Sequence, residues 1–298
     1  MNKALVIVNP SSGKEKAVEY TDQIVEILEK RYEEVEVKET EGAGDAKRFA
    51  DSATNDGVEL IVAVGGDGTV NEAVNGIAPH EKRPKFAIIP MGTVNDLARV
   101  LQIPLDPKDA VEMLNEEHIE TIDIGKAGDT YFTNALAIGR VPESIHEVTA
   151  EEKSKLGTLA YLWAGAKKLI ENEKIKVKVT TDEEEYEEEL SAVVMSLTGQ
   201  LGGFKDIFPK AKLAAGKVSV LLVHELDLIE TAKLLPELIS KRVTEAKNMT
   251  HIQTERITVE AMDGNTYVSD VDGEEGPKTP ITVDVLKAHL DVLVPAKE

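Results

Sequence analysis

The stretch Leu60–Thr69 constrains the fold more strongly than any other part of this sequence. It reads Leu-Ile-Val-Ala-Val-Gly-Gly-Asp-Gly-Thr, a short apolar run that ends in three glycines, an aspartate and a threonine. The apolar run predicts a buried strand, and the glycines let the backbone approach a ligand closely. Thr69 and Glu72 have the spacing of a capping box, which predicts that a helix starts there. A buried strand, a bare turn and a helix N-terminus offer free N–H groups, so the stretch is a candidate phosphate site.

Predicted strands and helices alternate through residues 1–100, with short connections between them. This alternation predicts a doubly wound, mostly parallel sheet that binds ligands at the carboxyl ends of its strands. The predicted strands are Leu5–Val8, Val35–Lys38, Leu60–Val64 and Phe86–Ile89, and the predicted helices are 15–31, 44–55, 70–76, 94–100 and 108–116.

The pattern changes near residue 120, where we place a domain boundary. Most of the segments that follow are short β-type runs, as in an antiparallel sheet or sandwich. The fold class is therefore an α/β domain over residues 1–120 and a mainly antiparallel β-sandwich domain over 121–286. Helices are predicted at 153–171, whose apolar stripe faces a core or a lipid, and at 227–241. The predicted strands are Thr121–Lys126, Tyr131–Ala137, Lys174–Thr180, Glu187–Leu197, Val218–Val223, Arg256–Ala261, Tyr267–Val271 and Ile281–Val285.

Charge and composition exclude several classes of function. The 298 residues carry a formal net charge of −21, which argues against a nucleic-acid partner and a broad footprint on anionic lipid. The chain has no cysteine, so disulfides and thiolate catalysis are excluded and a reducing compartment fits. No apolar run approaches the ~20 residues of a transmembrane helix. These observations favour a cytoplasmic protein.

Three loops with phosphate-binding character follow predicted strands of the first domain: residues 9–14, 65–72 and 90–96. The tetrapeptide Gly-Thr-Val-Asn occurs twice, at Gly68–Asn71 and at Gly92–Asn95, each time with an acid three residues after the threonine. One explanation is that the same helix cap is used twice. The other is a ligand shared by all three loops, which lie at one edge of the predicted sheet.

Asp67 is the unusual residue of the glycine loop. The loop matches neither the P-loop nor the dinucleotide pattern, and an aspartate repels phosphate unless a cation lies between them. Mg²⁺ would resolve this conflict, with Asp96 as a second carboxylate. In the alternative, Asp67 only stabilises a turn. Transfer of a phosphoryl group to a hydroxyl also requires a base, for which Glu274 is the candidate, although its segment also fits a plain β-turn.

Taken together, these motifs resemble the soluble bacterial diacylglycerol kinase and lipid kinase family, which is related to the catalytic domains of eukaryotic diacylglycerol, sphingosine and ceramide kinases. The resemblance covers essentially the whole chain. Its most specific part is the combination of the glycine loop with Gly-Thr-x-Asn-Asp and a late Asp-Gly-Glu. The matching residues are Asn9–Gly13, Gly65–Thr69 with Asn71 and Glu72, Pro90–Asp96, Asp123–Gly125, Asn134, Gly202–Pro209, Ala211, Gly216 and Asp272–Glu274.

The resemblance implies an ATP- and Mg²⁺-dependent kinase that phosphorylates a lipid hydroxyl, most simply that of diacylglycerol to give phosphatidic acid. Asp67 and Asp96 would organise Mg²⁺, and Glu274 would be the general base, supported by Asp272. The lipid would lie between the two domains, and residues 287–298 would return to the first domain. ATP would contact Asn9, Pro10, Ser11, Ser12, Gly13, Lys14, Thr40, Gly65, Gly66, Asp67, Gly68, Thr69, Asn71, Glu72, Gly92, Thr93 and Asn95.

The chain departs from the family at Ala214 and Ala215, where diacylglycerol kinase-like members carry an acid that helps hold a structural Mg²⁺. This departure leaves open a nucleotide- or lipid-binding regulator that has lost turnover. A soluble-substrate kinase similar to NAD kinases is a separate alternative, because the glycine signature alone is shared with those enzymes.

A lipid substrate also implies transient peripheral contact with the inner membrane surface. The oligomeric state stays open, a homodimer included. The lysines predicted to contact the membrane are Lys153, Lys155, Lys167, Lys168, Lys205, Lys210 and Lys212.

Overall fold

The computed structural model describes residues 2–13, 17–116, 118–139, 174–199, 208, 211–224 and 248–296. Lys14, the helices predicted at 153–171 and 227–241, the segment 202–207 and all the proposed membrane-binding lysines except Lys212 lie outside these residues. The chain forms two compact units, one made of Met1–Ile124 with Lys287–Glu298 and the other of Gly125–Leu286. Within the described ranges, no helix is long and apolar enough to cross a membrane.

The first unit contains a parallel sheet with the order β2-β1-β3-β4. β1 and β3 are apolar almost throughout and are buried because helices cover both faces of such a sheet. The alternation read from the sequence is thereby confirmed. The strands are β1 (Lys3–Val8), β2 (Glu34–Glu39), β3 (Leu60–Gly65) and β4 (Lys85–Pro90), and the helices are α1 (Thr21–Leu28, after a 3-10 turn at Ala17–Tyr20), α2 (Asp45–Asn55), α3 (Asp67–Ile77), α4 (Asp96–Val100) and α5 (Pro107–Met113).

The chain passes between the units in two strands, β5 (Ile119–Ala127) and β16 (Ile281–Leu293). In the first unit, the end of β16 pairs in parallel with β4. Ala288 interrupts β16 with a φ of 47°, and its N–H donates to Oδ1 of Asp123 at 2.8 Å. Asp123 is only 5% exposed. The buried carboxylate of Asp123 therefore holds the irregular residue Ala288, close to the position at which β16 passes from one unit to the other.

The second unit contains antiparallel strands in two sheets, in agreement with the predicted sandwich. In one sheet the beginning of β16 pairs with β13, followed by β8 and β9, while β6 pairs with β5. The other sheet has the order β12-β11-β10-β7-β14-β15. The strands are β6 (Thr130–Phe132), β7 (Ala135–Gly139), β8 (Ile175–Thr181), β9 (Glu185–Leu190), β10 (Ala192–Ser196), β11 (Val218–Val223), β12 (Met249–Thr254), β13 (Arg256–Ala261), β14 (Val268–Val271) and β15 (Glu274–Lys278).

Two of the strand predictions were wrong, because each predicted strand is in fact two strands that lie in different sheets. The run predicted at Tyr131–Ala137 is divided between β6 and β7 by Thr133 and Asn134. The run predicted at Glu187–Leu197 is divided at Ser191, whose N–H donates to the carbonyl of Val223. An apolar pattern shows that residues are extended and buried, but not that the chain turns a corner between them. The sequence reading also missed β12 and β15.

Candidate active site

Asn9 organises the loop that follows β1. Its N–H donates to the carbonyl of Val64 at 2.9 Å, and its side-chain Nδ2 donates to Oγ1 of Thr69 at 3.1 Å. Its Oδ1 accepts from the N–H and the hydroxyl of Ser11 at 3.1 and 2.8 Å. One amide therefore holds its own turn and attaches it to the start of α3.

The helix after the glycine loop begins earlier than predicted. It starts at Asp67 with the extended Gly66 as its N-cap, so no side chain caps it and the predicted Thr69–Glu72 capping box is wrong. Thr69 instead accepts from Asn9, and Glu72 bonds to α2. Because the cap is a glycine, the start of α3 is left open to an anion.

Asp67 attaches the third loop to α3. Its Oδ2 accepts from the N–H of Asn95 and its Oδ1 from the N–H of Asp96, both at 2.8 Å. Asn95 has a φ of 53° and is the N-cap of α4. The carboxylate therefore stabilises a left-handed residue and the start of a helix, so the turn-stabilising role considered from the sequence is real.

Glycines allow the second and third loops to touch. A Cβ on Gly66 would lie 3.2 Å from Cα of Gly92, and a Cβ on Gly92 would lie 2.8 Å from Cα of Gly66. A Cβ on Gly65 would lie 2.5 Å from Oγ1 of Thr69. No larger residue fits at these three positions unless the backbone moves.

Glu72 holds the segment before α2. Its Oε1 accepts from the N–H of Gly44 at 2.8 Å, and its Oε2 accepts from the N–H of Ala46 at 3.1 Å. These donors lie at the N-terminus of α2, where a carboxylate is favourable. Thus α3 bears two carboxylates, Asp67 and Glu72, and each holds a different neighbouring segment.

Asp45 holds the same segment from within α2. Its Oδ2 accepts from the N–H groups of Glu41 and Gly42 at 2.8 and 3.1 Å. The hydrogen bond from Arg48, followed by that from the N–H of Glu41, lowers the pKa of the Asp45 carboxyl below its ordinary value. Asp45 consequently stays ionised at neutral pH and keeps its backbone contacts.

A cleft of about 700 Å³ lies at this edge of the first unit. Its size is in the range of small-molecule sites. Seven of the predicted ATP-binding residues line it: Asn9, Pro10, Ser11, Thr40, Gly68, Thr69 and Glu72. Its other lining residues were not predicted: Val18, Glu41, Gly42, Ala43 and Ala46.

The remaining predicted nucleotide residues that the structure describes do not line this cleft. Gly65, Gly66 and Asp67 connect β3 to α3, while Gly92 and Asn95 shape the third loop behind them. Asn71 bonds to Asn75 within α3, and Thr93 is exposed. Ser12 and Gly13 complete the first loop, and a Cβ on Gly13 would lie 2.5 Å from Cε of Met91. The wall 41–46, which was not predicted, contains Gly42 and Gly44 but matches neither the P-loop nor the dinucleotide pattern. Only its position after β2, at the edge where ligands bind, could have indicated it.

The carboxylate of Asp67 fits a Mg²⁺ site whose other ligands are mainly phosphate oxygens and water. Each oxygen of Asp67 accepts one hydrogen bond and retains capacity for a second partner. Within the described part of the chain, no group of three or more metal-binding side chains is found. Mg²⁺ commonly uses only one or two carboxylates, with phosphate oxygens and water as its other ligands.

In the second unit, Asp272 anchors the turn that carries Glu274. Its carboxylate accepts from the N–H groups of Thr133, Asn134 and Ala135 at 2.9, 3.1 and 2.7 Å. Asp272 and Gly273 have φ values of 50° and 90° and form the turn between β14 and β15. Glu274 follows as the first residue of β15 and is exposed. The segment is therefore a β-turn, and Glu274 is an exposed residue at the start of a firmly held hairpin strand.

Comparisons with known proteins agree with this architecture. Residues 3–127 match the diacylglycerol kinase catalytic domain, and residues 141–294 match the YegS C-terminal NAD kinase beta sandwich-like domain. The chain belongs to the diacylglycerol kinase family of lipid kinases. This is an enzyme family, and the resemblance inferred from the motifs is confirmed.

Individual relatives match along nearly the whole chain. A diacylglycerol kinase of Staphylococcus carnosus is 33% identical over 293 residues, which are 98% of this chain and 95% of the relative. One from Staphylococcus aureus strain MRSA252 is 34% identical over 294 residues, 98% of this chain and 92% of the relative. A crystal structure of a diacylglycerol kinase from Bacillus anthracis superposes with a TM-score of 0.80 at 31% identity, covering 98% and 97% of the two chains.

Proposed function

We propose that this protein is an ATP-dependent lipid kinase that transfers the γ-phosphate to a lipid hydroxyl, with diacylglycerol as substrate and phosphatidic acid as product. The observation that carries the proposal is the cleft of the first unit, which combines the open N-terminus of α3 with the loop of Asn9, whose side chain bonds to Thr69. Family membership supports it, because relatives over 98% of the chain are named diacylglycerol kinases.

In this proposal the first unit binds the nucleotide and the second provides the lipid side. ATP phosphates lie at the start of α3, where Gly66–Thr69 present backbone N–H groups. Asp67 and Asp96 would hold Mg²⁺, which would neutralise charge on the transferring phosphoryl group. Ser11, Thr40 and the other residues that line the cleft contact the rest of the nucleotide.

Glu274 acts as the general base. It takes the proton from the lipid hydroxyl, whose oxygen forms a bond to the γ-phosphorus while the bond from that phosphorus to the β–γ bridging oxygen breaks and ADP leaves. Asp272 is a positioning residue in this mechanism, because its oxygens accept from three backbone N–H groups and thereby orient the hairpin.

A phosphorylation assay with Glu274→Gln tests this assignment. We expect kcat to fall at least about 10³-fold, with ATP affinity unchanged, because only the proton acceptor is lost. Glu275→Gln is the matched control, since it removes a carboxylate from the adjacent exposed residue of β15. Near-normal transfer by Glu274→Gln would contradict the role of Glu274.

A substrate panel tests the function itself. Diacylglycerol, ceramide, sphingosine and NAD are each offered with labelled ATP, and transfer to diacylglycerol above all others supports the proposal. Transfer to NAD alone would replace it with a soluble-substrate kinase. Tight ATP binding without transfer to any acceptor would instead favour a regulator, the alternative suggested by Ala214 and Ala215.

We also propose that the enzyme is cytoplasmic and reaches its substrate by transient contact with the inner membrane surface. A net charge of −21 requires such contact to be local, and of the proposed lysines the structure describes the exposed Lys212. Binding to vesicles that contain anionic lipid should weaken as salt is raised. Salt-independent binding would exclude the electrostatic explanation.

A further inference from the structure

We propose that Glu72 is a positioning residue that does not bind ATP itself. By fixing residues 41–46, it shapes the end of the cleft that takes the base and ribose of the nucleotide, which we call the nucleoside end. The inference rests on the proposed nucleotide function and assigns a separate task to a residue of the glycine-loop motif. It explains why a carboxylate lines a cleft that is expected to bind a polyanion.

The first argument is that both carboxylate oxygens of Glu72 already have hydrogen-bond donors. Both oxygens of Glu72 accept backbone N–H groups, from Gly44 and Ala46. These are donors of the first turn of α2, which have no partner within the helix. Glu72 therefore supplies the anion that this helix N-terminus attracts, and phosphate is excluded from that end of the cleft by charge and by occupancy.

The second argument is the way α3 is joined to α2. Glu72 and Gly76 lie one turn apart on α3, and a Cβ on Gly76 would lie 2.4 Å from the carbonyl oxygen of Lys47. The helices are thus in close backbone contact at Gly76 and hydrogen-bonded at Glu72. The wall formed by 41–46 is held at a fixed position relative to the helix that begins with Asp67.

The third argument is the chemistry of that wall. Ala43, Ala46 and the acidic Glu41 belong to this wall, and Val18 lines the same cleft. Methyl groups and a carboxylate suit a base and a ribose better than phosphates. The cleft therefore has a phosphate end at Gly68 and Thr69 and a nucleoside end at 41–46.

Calorimetry with Glu72→Ala tests the inference, using ATP and inorganic tripolyphosphate as probes. We expect ATP to bind about tenfold more weakly, because the wall must be ordered on binding, while tripolyphosphate binds within about twofold of the wild type. In turnover assays KM for ATP should rise by a similar factor, with kcat changed by less than about threefold.

Two further variants control for a general loss of stability. Glu72→Gln keeps one acceptor oxygen and should lose an intermediate amount of ATP affinity, and it remains informative if Glu72→Ala fails to fold. Asp106→Ala removes the N-cap of α5, whose Oδ1 accepts from the N–H of Lys108 at 2.9 Å, at a helix that does not line the cleft. This control should lose comparable stability and no ATP affinity.

The outcomes separate this inference from the function on which it depends. Equal ATP affinity in wild type and Glu72→Ala would overturn the positioning role and leave the kinase proposal intact. Equal weakening of ATP and tripolyphosphate would also overturn it, because Glu72 would then act at the phosphate end. A wild-type protein that binds no ATP would overturn the proposed function first, and the inference with it.

Discussion

Gly68–Asn71 and Gly92–Asn95 contain the same four residues, Gly-Thr-Val-Asn, yet the first copy lies within α3 and the second is an irregular loop before α4. In the first copy, the N–H of Val70 donates to the carbonyl of Gly66 in an ordinary helical bond. In the second, Oδ1 of Asn95 accepts from the N–H of Gly92 at 2.9 Å, and its Nδ2 donates to the carbonyl of the same glycine at 2.9 Å.

The two copies differ in what another segment contacts: Asn9 bonds to the side chain of Thr69 in the first copy, whereas in the second a carboxylate accepts a backbone N–H group of the tetrapeptide. Asp67 accepts the N–H groups of Asn95 and Asp96, which fixes the second helix start after the tetrapeptide. Asp67 is itself the first residue of α3, so the first helix start lies before its tetrapeptide. The carboxylate of Asp67 thus belongs to the loop before α3 and fixes the end of the loop before α4. The repeated tetrapeptide therefore does not form the same helix cap twice.

The largest effect on the difference between the two copies is expected when the carboxylate of Asp67 is removed. We expect Asp67→Ala to lower kcat by about 10²- to 10³-fold, because the third loop loses both acceptors and the proposed Mg²⁺ site loses a ligand. Steady-state phosphorylation kinetics and urea unfolding would measure the two effects. Asp109→Ala is the control, since it removes an exposed carboxylate from the first turn of α5. Retention of full activity by Asp67→Ala would contradict both roles.

A second prediction compares the glycines of the two copies. Gly92→Ala should destabilise the protein by about 1–3 kcal/mol, because its Cβ would overlap Gly66. Gly68→Ala, at an exposed helical position, should be neutral or stabilising by roughly 0.5–1 kcal/mol. Urea denaturation of the two variants measures the difference. Equal destabilisation would mean that the two copies are structurally alike.

The smallest predicted effect concerns pH at the far end of α3. Nε2 of His289 donates to the carbonyl of Ala78, the C-cap of this helix, at 2.9 Å. Burial lowers the pKa of His289; the bond to Ala78 opposes this shift, and the charge of Arg83 adds to it. The folded state therefore disfavours the protonated ring.

The sign of the pH effect follows from this shift. Stability is complete above the unfolded pKa of about 6.5 and declines as pH falls from there through the lowered folded pKa. The effect is small because the ring is half exposed. His289→Gln should reduce the difference in unfolding midpoint between pH 7.5 and pH 5. An unchanged difference in His289→Gln would contradict the assignment.

The regular part of the fold could be predicted because its signals are local. The apolar runs of β1 and β3 and the glycines after β3 have one structural interpretation, and they indicate the α/β unit and its binding edge. The second unit was predicted less well at its corners. Ser191 divides one predicted strand between two sheets, and no local residue preference marks such a change.

For the candidate site, the sequence by itself determined which residue types are available for phosphate binding and acid–base chemistry, because glycine spacing and carboxylates are properties of the chain. Tertiary structure alone decided the partner of each side chain. Asp67 bonds to the third loop, Glu72 to α2 and Asp272 to the start of β7, over separations of at least 26 residues. A carboxylate accepts from whichever N–H groups the fold brings near it, so its sequence position cannot tell which they are.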